Sequence, residues 1–163
     1  MKKDHYDTLV DYITDHQDNF YRLAFTYVHQ KEAALDIVQN AVVKALQSYD
    51  TIRNISYVRT WFYRILVNES LSYLRKNQRE YPMDLSSILE TAYSGNDGAE
   101  KLEVFQFVNH LSEPGRTIVF LHYYEGFTLK EISQIKKMKL STVKYHLYAS
   151  LEKLKEMIKE ETA

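Results

Sequence analysis

Residues that interrupt helices are almost absent from this chain. Its 163 residues include only four glycines and two prolines. Because glycine and proline are the strongest local breakers of regular structure, so few of them predict long helices. Apolar side chains recur every three or four residues, and strict apolar and polar alternation over the length of a strand is not found. The predicted fold class is therefore all-α.

The first part of the chain carries at least three helical patterns. Tyr6 to Val28 predicts one broken helix or two, and another helix begins near Lys31. A further helix runs from about Tyr57 to Asn77, with Ser56 as a candidate N-cap. The inward residues are predicted to be Leu35, Val38, Val42, Ala45, Leu46 and Tyr49 in the helix near Lys31, and Trp61, Ile65, Leu66 and Leu74 in the next. Residues 1–81 are thus predicted to form a bundle of three or four helices.

A composition change divides the chain into two small helical domains. Helical periodicity fades over residues 82–99, where polar turn formers and acidic side chains gather, which is typical of a flexible linker. Residues 100–163 form the predicted second domain. It begins with a short helical pattern from Glu100 to Asn109, and a further helix opens at Ser112-Glu113-Pro114 and ends at Gly126.

The end of the chain has the pattern of a helix-turn-helix. Thr128 and Glu131 have the spacing of a capping box, and Phe127 and Ile132 are placed as the accompanying hydrophobic staple. Helices are predicted from Thr128 to Lys136 and from Leu140 to Lys155. The buried stripe of the last helix is predicted to be Leu140, Val143, Leu147, Leu151 and Leu154.

The overall charge hides two basic blocks. Lys and Arg number 21 against 22 Asp and Glu, which gives a net charge of -1. Arg53 to Arg79 nevertheless contains six basic residues and one acidic residue, and Lys130 to Lys144 contains five lysines and one glutamate. Local basic blocks of this kind indicate a nucleic-acid partner better than the total does.

The second basic block surrounds the predicted last helix. Thr142, Lys144, Tyr145, His146 and Ala149 lie off its apolar stripe, where the first turns of a reading helix meet the major groove. Lysines positioned to meet phosphates are Lys130, Lys136, Lys137, Lys139 and Lys144. The alternative interpretation is an ordinary helical hairpin with a solvated lysine face.

The sequence contains no motif for several other classes of function. The chain has no cysteine, none of the common phosphate-loop, zinc-protease or serine-hydrolase motifs, and no closely paired histidines. We therefore expect no catalytic residues, no metal, no cofactor and no small-molecule substrate. No run of about 18 apolar residues occurs and the start does not match a signal peptide, so we expect a cytoplasmic protein.

Three stretches together resemble a known family. They are Asp36-Ile37-Val38-Gln39-Asn40 with Lys44-Ala45; Trp61-Phe62-Tyr63-Arg64-Ile65 with Asn68 and Tyr73-Leu74-Arg75; and Glu131-Ile132 followed by Thr142-Val143-Lys144. In this order and at these separations the chain resembles the extracytoplasmic-function (ECF) sigma factors of bacterial RNA polymerase, in the sigma-70 family. The resemblance implies that residues 1–81 are sigma region 2 and residues 100–163 are sigma region 4.

The resemblance implies a role for three groups of residues. The first group docks on core RNA polymerase, whose largest and second-largest subunits are the expected partners: Asp36, Gln39 and Asn40. The second group recognises and melts the -10 promoter element: Arg53, Asn54, Ser56, Tyr57, Arg59, Tyr63, Arg64, Asn68 and Arg75. The third group reads the -35 element as duplex: Thr128, Lys130, Lys139, Ser141, Thr142, Lys144, Tyr145 and His146.

The residues themselves leave simpler interpretations open for the first two groups. Spacing alone favours a merely solvated face for Asp36, Gln39 and Asn40. Trp61 is more often a core residue than a stacking platform. Arg75 is also suitably placed to interact with the C-terminal helix dipole.

The family also implies regulation by a partner. Such sigma factors are commonly held inactive by an anti-sigma factor, often membrane-bound, and released in a response to envelope stress. Two other functions compete with this interpretation. One is a dimeric helix-turn-helix regulator with a sensing domain in residues 1–80, which would need an apolar cavity. The other is a protein-interaction module without its own role at promoters.

Overall fold

The computed structural model describes residues 4–77 and 106–162, and within these ranges the regular structure is entirely helical. The chain forms two compact units, Met1–Met83 and Asp84–Ala163. The predicted linker at 82–99 and most of the short helical pattern from Glu100 to Asn109 lie outside the described residues. No helix in the described ranges is long and apolar enough to cross a bilayer.

Residues 4–77 of the first unit form four α-helices and two short 3₁₀ turns. They are α1 (His5–Asp15), α2 (Gln17–Val28), α3 (Lys31–Gln47), the turns Tyr49–Thr51 and Ile55–Tyr57, and α4 (Val58–Asn77). The segment from Tyr6 to Val28 is thus two helices, which separate at His16. Asp4 caps α1, since its carboxylate accepts a hydrogen bond from the Tyr6 N–H at 3.4 Å.

Aromatic side chains fill the centre of the first unit. The ring centroid of Phe20 on α2 lies 4.4 Å from that of Phe62 and 5.6 Å from that of Tyr63, both on α4. The α3 helix contacts the same core mainly through small residues, which allow close approach to α2 and α4: Ala33, Ala34, Ala41 and Ala45. These contacts make the unit a four-helix arrangement around one core.

The predicted inward faces of α3 and α4 need correction. Leu35 is 43% exposed, while Ile37 is 1% exposed and faces the core. On α4, Trp61, Ile65 and Leu74 are only half-buried. The buried residues of α4 are Phe62, Tyr63, Leu66, Val67 and Ser70. Apolar residues cover more than one face of each helix, so periodicity alone could not select the buried one.

The second unit has three longer helices in its described part: α5 (Gly115–Tyr123), α6 (Leu129–Lys136) and α7 (Leu140–Thr162). Its core includes Ile118, Phe120, Phe127, Ile132 and Val143. The helix predicted to end at Gly126 ends at Tyr123, and Gly126 has the positive φ of 72° that suits glycine. Leu140, predicted to be buried, is 38% exposed, and Leu151 is half-buried.

Candidate nucleic-acid interface

A capping box starts the first helix of the helix-turn-helix, as the sequence predicts. The Glu131 N–H donates to Thr128 Oγ1 at 3.1 Å, and the Thr128 N–H donates to Glu131 Oε1 at 2.9 Å. Phe127 and Ile132 are both buried, in agreement with a hydrophobic staple. These bonds satisfy two backbone donors that would otherwise be exposed at the helix end and fix where α6 begins.

The turn after α6 is made by a lysine in a left-handed conformation. Lys137 has φ 53° and ψ 49°, and its N–H and that of Met138 both donate to the Ser133 carbonyl. This arrangement resembles the ends that helices normally form with glycine. The turn redirects the chain into α7, which begins at Leu140 and extends to Thr162, seven residues beyond the predicted end at Lys155.

The exposed face of α7 is centred on three large side chains. Lys144 is exposed, Tyr145 is 67% exposed and Tyr148 is 60% exposed. Their spacing of one, three and four residues puts them on one face of the helix, together with Ser141. Tyr148 was missed by the sequence reasoning, although its spacing of four residues from Lys144 would have identified it.

Thr142 and His146 lie at the edge of this face. Both are half-buried, and the His146 ring lies edge-on to Tyr145 with the ring centroids 5.1 Å apart. His146 also lines a cleft of about 460 Å³ between α7 and the segment before α5. Of the predicted -35 residues, Ser141, Lys144 and Tyr145 therefore share the most exposed surface.

Four of the five predicted phosphate-binding lysines are exposed: Lys130, Lys137, Lys139 and Lys144. The prediction for Lys136 is wrong, because only 9% of its side chain is exposed and its Nζ lies 3.9 Å from Glu113 Oε2. Burial lowers the pKa of the Lys136 ammonium below its ordinary value, and the Glu113 carboxylate opposes that shift. A charge run in sequence cannot reveal such burial, because the carboxylate comes from elsewhere in the chain.

The loop before α4 is the polar end of the first unit. Arg53, Asn54, Ser56 and Tyr57 are all exposed, with Tyr57 at 59%. Asn54 Oδ1 accepts hydrogen bonds from the Ser56 N–H at 3.0 Å and from Ser56 Oγ at 2.8 Å. Asn54 is therefore the N-cap of the 3₁₀ turn Ile55–Tyr57, and Ser56, predicted to cap the long helix, lies inside this turn instead.

One side of α4 continues this polar surface. Trp61, Arg64 and Asn68 follow at intervals of three and four residues, so they share a face. Asn68 and Arg75 are exposed, while Arg59, Trp61 and Arg64 are half-buried. The face therefore combines cationic, amide and aromatic groups.

Tyr63 does not belong to this surface. Its side chain is only 2% exposed and packs edge-on against Phe20 in the core. The structure therefore contradicts the expectation that Tyr63 faces DNA in this conformation. Tyr63 is one or two residues away from Arg64 and Trp61, not three or four, so the helix turns its side chain away from their face and into the core.

The α3 helix presents a third surface. Asp36, Gln39 and Asn40 are exposed together, as their spacing predicts. Leu35 and Val43 flank them and are 43% and 51% exposed. At the edge of this surface Lys44 forms an ion pair with Glu69 of α4. The face is a polar strip between two apolar side chains, which is suited to packing against another helix.

The described residues thus form a helix-turn-helix unit that is preceded in the chain by a helical bundle, and each has a face with cationic and aromatic side chains. Residues 12–80 match the family Sigma-70 region 2, and residues 101–154 match Sigma-70, region 4. The chain belongs to the sigma-70 family of RNA polymerase sigma factors.

Individual relatives agree with this assignment. The chain is 37% identical to the RNA polymerase sigma factor SigV of Bacillus subtilis over 94% of its own length and 92% of the relative's. It is 26% identical to the ECF RNA polymerase sigma factor SigW of the same organism, over 98% and 94% of the two chains. The match to these sigma factors thus extends across both units.

Solved structures share the fold. One is the sigma factor RpoE from Bartonella quintana in complex with the anti-sigma factor NepR, with a TM-score of 0.73, 19% identity and coverage of 91% and 95% of the two chains. Another is CnrH in complex with the cytosolic domain of CnrY, with a TM-score of 0.71, 17% identity and coverage of 93% and 88%.

Proposed function

We propose that this protein is an ECF sigma factor that binds core RNA polymerase and directs promoter-specific initiation of transcription. The observation that carries the proposal is the presence of regions 2 and 4, in this order, in one chain. A helix-turn-helix regulator has no need of region 2. The protein acts in the cytoplasm, where its polymerase and promoter partners are, and catalyses no reaction of its own.

The second unit reads the -35 element as duplex DNA. Lys144, Tyr145 and Tyr148 supply an exposed charge and two exposed rings on the face of α7 that enters the major groove. Thr128, Lys130 and Lys139 contact phosphates on either side. Ser141, Thr142 and His146 complete the contact surface at its edges.

The first unit captures the -10 element as single-stranded DNA. Removing a base from the stack costs a few kcal/mol, which stacking and hydrogen bonds must offset. Exposed Tyr57 and half-buried Trp61 are aromatic surfaces for stacking, and the amide of Asn68 can read a base edge. The arginines on this side of the unit attract the phosphate backbone of the DNA strand: Arg53, Arg59, Arg64 and Arg75.

The α3 surface docks on core polymerase. Asp36, Gln39 and Asn40 form its polar centre, and they are proposed to contact a helical segment of the largest subunit. The second-largest subunit is a further proposed partner of the protein. Exposed Leu35 and Val43 add apolar area to the α3 surface, and this area supports a helix as the docking partner.

An anti-sigma factor, membrane-anchored in the proposed arrangement, holds the protein inactive until an envelope stress releases it. Two solved structures with this fold are complexes, RpoE with the anti-sigma factor NepR and CnrH with the cytosolic domain of CnrY, and they support this proposal by fold similarity. A partner that covers the exposed α3 or α7 surface would block polymerase or promoter binding.

Transcription from purified components tests the sigma assignment. Core polymerase, this protein and promoter DNA selected from a random pool by the reconstituted holoenzyme are combined, and run-off transcripts are measured. We expect transcripts only when the protein is present. Equal initiation by core polymerase alone would refute the assignment and favour a helix-turn-helix regulator.

Permanganate footprinting tests the role of Asn68. Asn68→Ala should weaken thymine reactivity in the melted -10 region, while binding of the second unit to -35 duplex stays unchanged. Asn77→Ala, which removes another exposed amide from the same helix, is the matched control. Footprints of normal intensity with Asn68→Ala would remove this residue from the melting site.

A further inference from the structure

Glu113 is the centre of a charged cluster at the start of α5. Its carboxylate accepts a hydrogen bond from Arg116 Nε at 3.1 Å and one from the Thr117 hydroxyl, whose Oγ1 lies 2.8 and 2.7 Å from the two carboxylate oxygens. Thr117 is 1% exposed, and the Glu113 side chain is 25% exposed. The carboxylate is thus held in one orientation by the first turn of the helix that follows it.

Lys136 approaches the same carboxylate from another helix. It is the last residue of α6, and its Nζ lies 3.9 Å from Glu113 Oε2 with 9% of the side chain exposed. An ammonium group loses most of its hydration at such a position, so it is stable there only beside a compensating charge. Glu113 supplies that charge across some twenty residues of sequence.

The third helix of the unit, α7, contacts this cluster at Gly115, two residues after Glu113. A Cβ added to Gly115 would lie 2.0 Å from Ser150 Oγ of α7. The segment from Glu113 to Thr117 therefore contacts α6 through Lys136 and α7 through Ser150. All three helices of the described second unit meet there.

The position of Lys136 connects this cluster to the face that reads DNA. Lys137, in its left-handed conformation, follows directly, and α7 begins at Leu140. The direction in which α7 leaves the turn depends on where α6 ends. Since Glu113 holds the last residue of α6, it also restrains the orientation of the exposed face formed by Lys144, Tyr145 and Tyr148.

The free energy of a buried ion pair distinguishes a role in orienting α7 from a role in stabilising the fold. A buried ion pair often contributes no more to stability than a well-packed apolar pair of the same volume, because desolvation offsets the attraction. Such pairs can instead select one arrangement among several of similar stability. The pair is then expected to affect binding geometry more than folding.

We propose that Glu113 and Lys136 are positioning residues that set the orientation of α7 for promoter recognition, and that Lys136 makes no phosphate contact. This inference rests on the proposed function of α7 as the -35 reading helix. It extends that function to two residues that do not touch DNA.

Lys136→Met is the decisive variant. It keeps the length of the side chain, and Glu113 retains its hydrogen bonds to Arg116 and Thr117. Glu113→Gln is expected to destabilise the second unit more, because it leaves a buried cation beside a neutral amide. Lys136→Arg restores the charge and is the conservative variant for rescue.

Binding is measured with the full chain on two duplexes, one with a -35 element selected by the holoenzyme and one with the same bases scrambled. Lys136→Met should bind the selected duplex roughly tenfold more weakly, the loss expected when one base-pair contact is misplaced. Its affinity for the scrambled duplex and its salt slope should equal those of the wild type, and Lys136→Arg should recover the loss. Lys130→Met, which removes an exposed lysine of α6, should instead reduce the salt slope by about one unit.

Three results would overturn the proposal. In the first, Lys136→Met discriminates between the two duplexes as well as the wild type does. In the second, the salt slope of Lys136→Met is lower than that of the wild type by about one unit, which would make Lys136 a phosphate contact. The third is independent of DNA: amide exchange at Met138, whose N–H bonds to Ser133, should be faster in Lys136→Met, and unchanged exchange would show that the pair does not hold the turn. If the wild-type protein failed to discriminate between the duplexes, the proposed function would fail as well, and the exchange result would still report on the pair.

Discussion

The contact between α5 and α7 gives a prediction that can be worked out from the structure. Gly115 is buried at the first position of α5, and an added Cβ would lie 2.0 Å from Ser150 Oγ, 3.3 Å from Ser150 Cβ and 3.7 Å from the His146 carbonyl oxygen. Rotation of the Ser150 hydroxyl relieves the first contact. The second contact involves an atom attached directly to the α7 backbone, so its relief requires a shift of the helices.

The expected cost of Gly115→Ala follows from these distances. Overpacking a well-filled core costs about 1–3 kcal/mol. Replacing glycine by alanine returns about 0.4–1 kcal/mol by restricting the unfolded chain. We therefore expect Gly115→Ala to lower the free energy of unfolding of the second unit by about 1–2 kcal/mol.

A double-variant cycle tests the cause of this loss. Ser150→Ala removes the Oγ atom and leaves the 3.3 Å contact, so the pair Gly115→Ala and Ser150→Ala should recover the part of the lost stability that the Oγ contact causes, while the part caused by the Cβ contact remains. Full additivity of the two changes would contradict the proposed contact.

The assay uses urea unfolding of the full chain. Far-UV circular dichroism follows all helices, while Trp61, the chain's single tryptophan, reports the first unit by fluorescence. Gly115→Ala should shift the circular dichroism transition of the second unit relative to the fluorescence midpoint, which serves as the internal reference. Stability equal to that of the wild type would show that the helices separate without cost, and the reasoning from the distances would be wrong.

Three further predictions concern the helix-turn-helix. Thr128→Ala should destabilise the second unit by about 1 kcal/mol in the same urea assay, because it removes the capping bond to the Glu131 N–H; an unchanged midpoint would argue against the capping box in solution. Lys137→Gly should stabilise that unit by up to about 1 kcal/mol by relieving the left-handed conformation, whereas Lys137→Ala should not, so equal effects of the two would point to lost charge as the cause. Lys144→Ala should lower the salt slope of duplex binding by about one unit, and Lys159→Ala, about 22 Å further along the same helix, should not. Equal slopes for both variants would remove Lys144 from the phosphate contacts.

Local sequence patterns determined that the chain is helical and where α6 begins. The scarcity of glycine and proline, the capping box at Thr128 and the glycine at position 126 act over a few residues, so they could be interpreted without the fold. The exposed polar strip Asp36, Gln39 and Asn40 was also predicted correctly from spacing. Three ordered motifs were enough to identify the family.

Tertiary structure decided which of several apolar faces is buried. Leu35 and Ile37 are both apolar residues of α3, and only contact with α2 and α4 turns Ile37 inward and leaves Leu35 exposed. Tyr63 lies in a motif with Trp61 and Arg64, but packing against Phe20 places it in the core. Periodicity restricts the burial of a helix to a face, and the neighbouring helices determine which face that is.

The lysines also show the difference between what the sequence and what the tertiary structure determines. The five lysines from Lys130 to Lys144 read as one basic block, because sequence records charge but not hydration. Folding brings Glu113 to Lys136 and excludes water from it, while Lys130 and Lys144 stay exposed. The sequence by itself therefore determined that this protein has a basic helix-turn-helix, and the tertiary structure decided which of its lysines are available to DNA, because desolvation depends on groups that are distant in the chain.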